Sequence, residues 1–222
     1  MNQKKIAGEK AAEYIKDGMV VGLGTGSTAK FMVDKVGEMV KNGLKIQAIP
    51  TSKATEQQAR ELGIPLLSID DVDHIDLDID GVDEIDSDFN ATKGGGGALF
   101  REKVVADLAK EVIWIMDESK LVDSIGAFPL PLEVLPYGYR IVFKKMEDFG
   151  YNPKMRMNGD DLFVTDNGNY IIDLCIGAPA HIEDIRQKVN SVVGVLETGQ
   201  FLKMCKRIIV GTDEGVKIIE AE

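Results

Sequence analysis

Cysteine and histidine are scarce, and each scarcity excludes something. The 222-residue chain has two cysteines, Cys175 and Cys205, too far apart for a CxxC pair. They are expected as reduced thiols of a reducing compartment and not as a disulfide. Its two histidines, His74 and His181, have no ligand-spaced partner. That pattern supplies neither a His-based triad nor a zinc site, so any acid–base chemistry must come from carboxylates and lysines. No apolar run approaches the roughly 18 residues of a membrane span. The N-terminal MNQKKIAGEKAAEYIK is an amphipathic helix pattern without an apolar signal region, so nothing in it directs export. Basic side chains are outnumbered, 26 Lys and Arg against 37 Asp and Glu, for a net charge of −11. A general nucleic-acid binder needs a basic face to neutralise phosphates, and none is visible. A small anion held by a few gathered lysines remains compatible with that charge. The expectation is a cytoplasmic protein with neither a nucleic-acid nor a membrane partner.

What is present is ordinary globular composition, 44% hydrophobic and 28% charged, in a chain long enough to bury about 70% of its unfolded surface. The first half alternates helix and strand. A helix from Gln3 to Lys16 leads through Asp17-Gly18 into the strand MVVGLG, and a second helix spans Ser27 to Lys41. KIQAIP reads as a strand, Ala54 to Leu62 as a helix, and IPLLSI and HIDLDID as strands. Ala98 to Glu111 is helical and VIWIMD is a buried strand. Strands separated by helices of this length imply βαβ units and a parallel sheet covered on both faces.

The rhythm changes near Phe128, where FPLPLEVLP holds three of the seven prolines. Beyond it come the strand PLEVL, a helix from Gly138 to Phe149, the strand PKMRM and the run FVTDNGNYIIDLCI with a turn at Asp166-Asn167-Gly168. A helix from Ala180 to Val192 and the strand GVLETGQF complete the order βαββαβ, the split ferredoxin-like arrangement. RIIVGTDEGVKII reads as a strand with a turn that returns to the first sheet. The expected fold is therefore α/β, a Rossmann-like, mostly parallel sheet with helices on both faces, plus a small ferredoxin-like α+β domain. The larger, catalytic domain would comprise residues 1–127 and 206–222, and residues 128–205 a lid or oligomerisation domain.

Four motifs carry candidate chemistry. Gly22-Leu23-Gly24-Thr25-Gly26-Ser27-Thr28 ends a strand and opens a helix. Its glycines let backbone N–H groups approach an anion at a helix N-terminus, and Ser27 and Thr28 add hydroxyl donors that could also cap the helix. It is not a dinucleotide fingerprint. Ser27 stands at the third glycine position, and the next strand ends in Pro50-Thr51-Ser52 with no acidic residue for a ribose hydroxyl. Nor is it a P-loop, since no lysine precedes Ser27.

The run from Asp70 to Asp86 has nine carboxylates, most of them expected on a solvated face. Asp76-x-Asp78-x-Asp80-Gly81 begins like a calcium loop, but Ser87 stands where the bidentate Glu belongs, so calcium is rejected. Asp80 and Asp83 differ from the rest because they lie where the strand ends and the loop turns over the sheet. Lys93-Gly94-Gly95-Gly96-Gly97 precedes a helix start at Ala98, which suggests backbone packed against a ligand, and Glu102 lies in that helix's second turn. Lys120 of Asp117-Glu118-Ser119-Lys120 follows the strand VIWIM, either as a surface lysine or as a charge for an anionic substrate. All four motifs fall on the side where open α/β sheets bind ligands.

In this order and spacing GLGTGSTA, DGVDEID, KGGGGALFREK, DESK and PLPLEVLP resemble the type A family of ribose-5-phosphate isomerase, and the likeness runs on through TDNGN to GTDEGV. Val82 stands where the family usually has Ala in DGADE, a change of packing more than of chemistry. The resemblance implies interconversion of ribose 5-phosphate and ribulose 5-phosphate without metal or coenzyme, with a sugar phosphate as the small-molecule partner. Carried over by motif, Glu102 would be the general base. Asp80, Gly81, Val82 and Asp83, Lys93 with Gly94, Gly95 and Gly96, the loop Thr25, Gly26, Ser27 and Thr28, and Lys120 would bind substrate, with Asp80, Asp83 and Lys93 also serving catalysis.

Elementary chemistry agrees. One carboxylate can take a proton from the carbon beside a carbonyl and return it to the adjacent carbon through an enediolate. For efficiency its pKa should rise from about 4.3 toward about 6–7, which burial beside an apolar neighbour such as Phe100 would favour. Lys93 and the glycine-loop N–H groups suit the developing oxyanion, and Asp80 or Asp83 suits ring opening. Lys4 or Lys5 could swing from the first helix to the phosphate. Two rivals remain. A sugar-phosphate sensor of the kind fused to repressors would need a DNA-binding segment. A CoA-transferase-like enzyme would use its Glu as a nucleophile. The small domain is expected to make a homodimer contact.

Overall fold

Strand and helix alternate through the first half as the pattern predicts. The computed structural model describes residues 2–221, so the domain ends at Met1 and Glu222 lie outside it. In chain order the elements are α1 (Gln3–Ala12), β1 (Val20–Leu23), α2 (Ser27–Lys41), β2 (Gln47–Pro50), α3 (Lys53–Glu61), β3 (Leu77–Gly81), β4 (Glu84–Ile85), β5 (Asn90–Thr92), α4 (Leu99–Leu108) and β6 (Val112–Asp117). After them come β7 (Leu130–Val134), α5 (Tyr139–Asp148), β8 (Pro153–Met155), β9 (Met157–Asn158), β10 (Asp161–Leu162), β11 (Tyr170–Leu174), α6 (Ile182–Asn190), β12 (Val195–Thr198), β13 (Gln200–Leu202), β14 (Arg207–Thr212) and β15 (Gly215–Glu220). They group into two compact units, one of residues 2–82, 101–120 and 203–221, the other of Asp83–Phe100 and Leu121–Leu202.

The first unit is built on a six-stranded sheet of order β15-β14-β6-β3-β1-β2. Five strands are parallel, and only β15 runs antiparallel, against β14. Val112 to Met116 of β6 are all buried, as expected of a parallel strand covered on both faces. On one face Ala7, Ala11, Met32, Val33 and Val36 of α1 and α2 pack with Val21, Leu23, Ile79 and Ile115. Gly22 points the other way, where a Cβ would meet Val105 of α4. The chain passes from β1 to β2 on one side and returns to β3 on the other. That reversal is a topological switch point, where the crevice at the strands' carboxyl ends is open to a ligand.

Several expectations need correction here. α1 stops at Ala12 and not at Lys16, because Tyr14 and Ile15 donate to carbonyls three residues back and tighten the chain into turns. IPLLSI forms a single parallel bridge, Ala48 to Leu66, and no strand, since Pro65 has no N–H to extend a ladder. The carboxylate run is not mainly a solvated face: Asp78, Asp80, Glu84 and Asp86 are buried, while Asp70, Asp71 and Asp73 are exposed. Asp86 closes its own turn by accepting from the Asp88 and Asn90 N–H groups.

Asp76 ties together the amino ends of the central strands β1, β3 and β6. Its carboxylate accepts from the Val20 N–H at 2.9 Å and from Lys110 Nζ at 2.8 Å. The Lys110 hydrogen bond, then the Val20 N–H, hold its carboxyl below the usual aspartate range. A depressed native pKa contributes stability above the unfolded value of about 3.9, lost as pH falls through the native value. Asp76→Asn is therefore expected to cost about 1–2 kcal/mol at neutral pH, with the difference from the parent shrinking below about pH 4. Urea unfolding at pH 7 and pH 3 checks this, and an equal difference at both would contradict it.

In the second unit β12-β7-β11-β8 form an antiparallel sheet. With α5 and α6 it has the βαββαβ order anticipated, and Leu130, Leu132, Val134, Val142, Met146, Ile172 and Val189 fill its core. Glu133, on the opposite sheet face from Leu132, receives Thr165 Oγ1 at 2.9 Å and Asn169 Nδ2 at 2.8 Å. The PLEV and TDNGN motifs thus meet in one hydrogen-bond cluster. GVLETGQF is not one strand but two, broken at Gly199, whose N–H donates to the Pro131 carbonyl while its own carbonyl accepts from the Lys93 N–H. Past that break β13 joins β5 and β4 in a separate three-stranded sheet. This pairing, and the Gly126 and Phe128 N–H groups donating to buried Glu84, group residues 83–100 and 121–127 with the second unit. The boundary expected at residue 128 places them with the first.

Candidate active site

The first unit gathers one set of the candidates at the switch point. Asp80 is the penultimate residue of β3, with its side chain fully buried, and its Oδ1 accepts the Thr25 N–H at 2.8 Å and the Gly81 N–H at 2.7 Å. Gly24 makes this approach possible. Its N–H donates to the Ile79 carbonyl, and a Cβ there would fall on the Asp80 carboxyl and 2.5 Å from its Cα. Beyond it the backbone turns at Gly26, φ +108°, into α2.

Ser27 and Thr28 do not cap α2. The cap position is Gly26, and no side chain closes it. Gly26 and Ser27 are exposed, so the positive end of a fifteen-residue helix faces outward beside its own glycine. Of the two N-terminal lysines, Lys4 is the one that reaches this end, with Nζ 3.0 Å from Ser27 Oγ and 3.9 Å from Asp117. Lys5 instead pairs with Glu9 on its own helix, 3.8 Å away. An open cavity of about 510 Å³ lies here, lined by Thr25, Gly26, Ser27, Lys30, Thr55 and Gln58 among others.

Beneath the loop is a hydroxyl cluster that the sequence reading missed. Thr25 Oγ1 lies 2.6 Å from Thr51 Oγ1 and donates to Ser52 Oγ at 2.9 Å, and Thr55 Oγ1 donates to the Gly24 carbonyl. Pro50-Thr51-Ser52 stands out in the sequence only for lacking an acidic residue. The signal available was three hydroxyls among five residues after a strand. Lys120 follows β6, the strand beside β3, in a single 3-10 turn, partly exposed.

Glu102 also belongs to this unit. It is 4% exposed and stands in the first turn of α4, not the second, because the helix begins at Leu99. Phe100 does not bury it, being 37% exposed; residues two apart in a helix point to different faces.

The second unit holds the other set. Asp83, half-buried, accepts the Gly95 N–H on Oδ2 at 2.7 Å. Lys93 is 1% exposed and its Nζ lies 5.2 Å from the centre of the Phe201 ring. Gly94 to Gly97 form a turn closed by the Gly97 N–H on the Gly94 carbonyl at 2.9 Å. A Cβ at Gly95 would stand 2.6 Å from Asp83 Oδ1, and one at Gly97 would strike the Phe163 ring. Gly94, Gly95 and Gly97 are closely packed backbone, so the run is not a flexible linker. Among the described residues no group of three or more His, Cys, Asp or Glu side chains could hold a metal ion. Likewise, no helix among them is long and apolar enough to cross a membrane.

Known proteins share both the sequence and this architecture. Ribose-5-phosphate isomerase A of Limosilactobacillus reuteri (strain DSM 20016) is 52% identical over 220 residues, 98% of this chain and 97% of its own. The solved structure of ribose 5-phosphate isomerase A from Methanocaldococcus jannaschii superposes with a TM-score of 0.92 at 37% identity and 98% coverage of both chains. A D-ribose-5-phosphate isomerase solved in complex with phospho-erythronic acid gives 0.94 at 39% identity over the whole of both chains. Residues 47–215 match the family ribose 5-phosphate isomerase A (phosphoriboisomerase A). Likeness in sequence and in fold thus runs from one end of the chain to the other, and the chain belongs to the ribose 5-phosphate isomerase A family.

Proposed function

We propose that the chain interconverts D-ribose 5-phosphate and D-ribulose 5-phosphate, an aldose–ketose isomerisation of the non-oxidative pentose phosphate pathway, in the cytoplasm and as a homodimer. The observation that carries the substrate class is the end of α2, where an uncapped helix N-terminus, exposed Gly26 and Ser27, and the Lys4 ammonium 3.0 Å from Ser27 Oγ offer a dianion both charge and donors. Family membership supplies the rest. A relative's bound phospho-erythronic acid carries a phosphate and a carboxylate, the two charges a sugar phosphate has once its carbonyl end becomes an enediolate.

In this reading the Glu102 carboxylate takes the proton from C2 of the open-chain aldose. The C–H electron pair becomes the C1–C2 double bond, and the carbonyl oxygen takes the negative charge. A proton moves from the C2 hydroxyl to that oxygen, and Glu102 returns its own proton to C1 as the C2 carbonyl forms. Atoms and electrons balance with no external oxidant. Lys93 and the N–H groups of Gly94–Gly97 stabilise the oxyanion, a term that fixed donors make large. Asp80 is fully buried with its Oδ1 accepting the Thr25 and Gly81 N–H groups, and half-buried Asp83 accepts the Gly95 N–H on Oδ2. Ring opening therefore falls to Asp80 or Asp83, with Asp83 the more accessible of the two. Lys120 adds charge for the anionic substrate, and the ferredoxin-like unit serves as lid or dimer contact.

The test is ketose formation from ribose 5-phosphate with EDTA present, and turnover under those conditions is expected. Binding of the sugar phosphate without turnover would favour the sensor reading. A covalent CoA adduct on Glu102 would favour the transferase, and loss of activity in EDTA would contradict the metal-free mechanism. A monomeric mass by light scattering at micromolar concentration would overturn the homodimer.

A further inference from the structure

Arg156 is fixed on every side within the second unit. It lies between β8 and β9, where its N–H donates to the Ile171 carbonyl and its own carbonyl accepts from the Phe163 N–H, both at 2.9 Å. Its side chain is 14% exposed, with Nε and Nη2 donating to the two oxygens of Asp173 on β11 at 2.9 and 2.5 Å. The remaining nitrogen, Nη1, donates to the carbonyls of Gly94 at 2.8 Å and Gly95 at 3.0 Å. The guanidinium also lies 5.9 Å from the centre of the Phe163 ring, against which Gly97 packs.

These contacts determine where the loop's N–H groups point. In a trans peptide the C=O of one residue and the N–H of the next share a plane and point in opposite directions. Drawing the Gly94 carbonyl to Arg156 therefore turns the Gly95 N–H away, and that N–H meets Asp83. Drawing the Gly95 carbonyl to the same guanidinium turns the Gly96 N–H away as well. Gly96 is exposed, and its N–H has no hydrogen-bond partner among the described residues. We propose that Arg156, oriented by Asp173, is a positioning residue that presents the Gly96 N–H to the oxyanion of the reaction. The proposal rests on the isomerase reading above. Lysine cannot substitute, because a point charge has no planar fork to span a carboxylate and two carbonyls at once.

The experiment compares the parent with Arg156→Met, Arg156→Lys and Asp173→Asn by steady-state kinetics, urea unfolding and amide hydrogen exchange across residues 94–97. Arg156→Met is expected to lower kcat about 100-fold, change KM little, and speed exchange at Gly95 and Gly96. Millimolar guanidinium should restore part of kcat. Arg156→Lys should stay low, and Asp173→Asn should show a smaller loss with faster exchange at the same two amides. If Arg156→Met does not fold, the two conservative variants carry the comparison. Unchanged exchange at Gly95 and Gly96, unchanged kcat, or losses that only track the unfolded fraction and resist guanidinium would each overturn the proposal. If the parent itself does not turn over, the isomerase reading fails separately, and exchange at Gly95 and Gly96 alone decides whether Arg156 sets the loop.

Discussion

Glu102→Gln should lower kcat for ketose formation by at least about 1,000-fold, equivalent to about 4 kcal/mol of transition-state stabilisation, while KM and the unfolding midpoint stay close to the parent's. Glutamine keeps the shape and hydrogen-bonding reach of the side chain but cannot accept and return a proton. Stability should fall only modestly. Glu102 stands in the first turn of α4, where a carboxylate gains about 0.3–1 kcal/mol from the helix dipole. The fold loses that small term, whereas the reaction loses its base. The parent should also introduce deuterium from heavy water at C2 of ribose 5-phosphate, and the variant should not. A variant retaining a tenth of the parent's turnover would place the base elsewhere, with Asp83 the next to test.

Gly24→Ala is the second large effect and acts through packing. A methyl there would stand 2.5 Å from Asp80 Cα, which is backbone at the centre of the sheet and has no rotamer to escape by. β1 and β3 would have to separate where Gly24 N–H meets the Ile79 carbonyl. Overpacking commonly costs about 1–3 kcal/mol, and a clash with backbone belongs at or above the upper end. The same shift would pull Asp80 from the Thr25 N–H and spoil the anion loop, so sugar-phosphate binding should be lost along with stability. Urea unfolding and calorimetric titration with ribose 5-phosphate check both. A parent-like midpoint would show that the sheet yields and would refute the close-packing account.

The residues that local pattern described well are those whose environment repeats along the chain. Ser27 to Lys41 was bounded correctly because its apolar positions recur with a helical period and Asn42-Gly43 ends them. VIWIMD was read as a buried strand because a parallel strand covered on both faces is apolar throughout. The βαββαβ order followed from the same signals. IPLLSI failed because apolarity says nothing about whether a neighbouring ladder exists, and Pro65 cannot extend one. GVLETGQF failed because the break at Gly199 is imposed by Pro131 of β7 and by Lys93, just past β5, both distant in the chain.

The order of GLGTGSTA, DGVDEID, KGGGGALFREK and DESK was enough to indicate the family, since several glycine and carboxylate motifs in one register are a far narrower pattern than any one of them. Sequence by itself therefore determined the alternating α/β architecture and the family. Tertiary structure alone decided which of nine similar carboxylates are buried, that Lys4 and not Lys5 reaches Ser27, and that Arg156 holds the glycine turn. The physical reason is distance along the chain. Asp80 meets Thr25 across 55 residues and Arg156 meets Gly95 across 61, whereas periodicity reports only on neighbours within a turn or a strand.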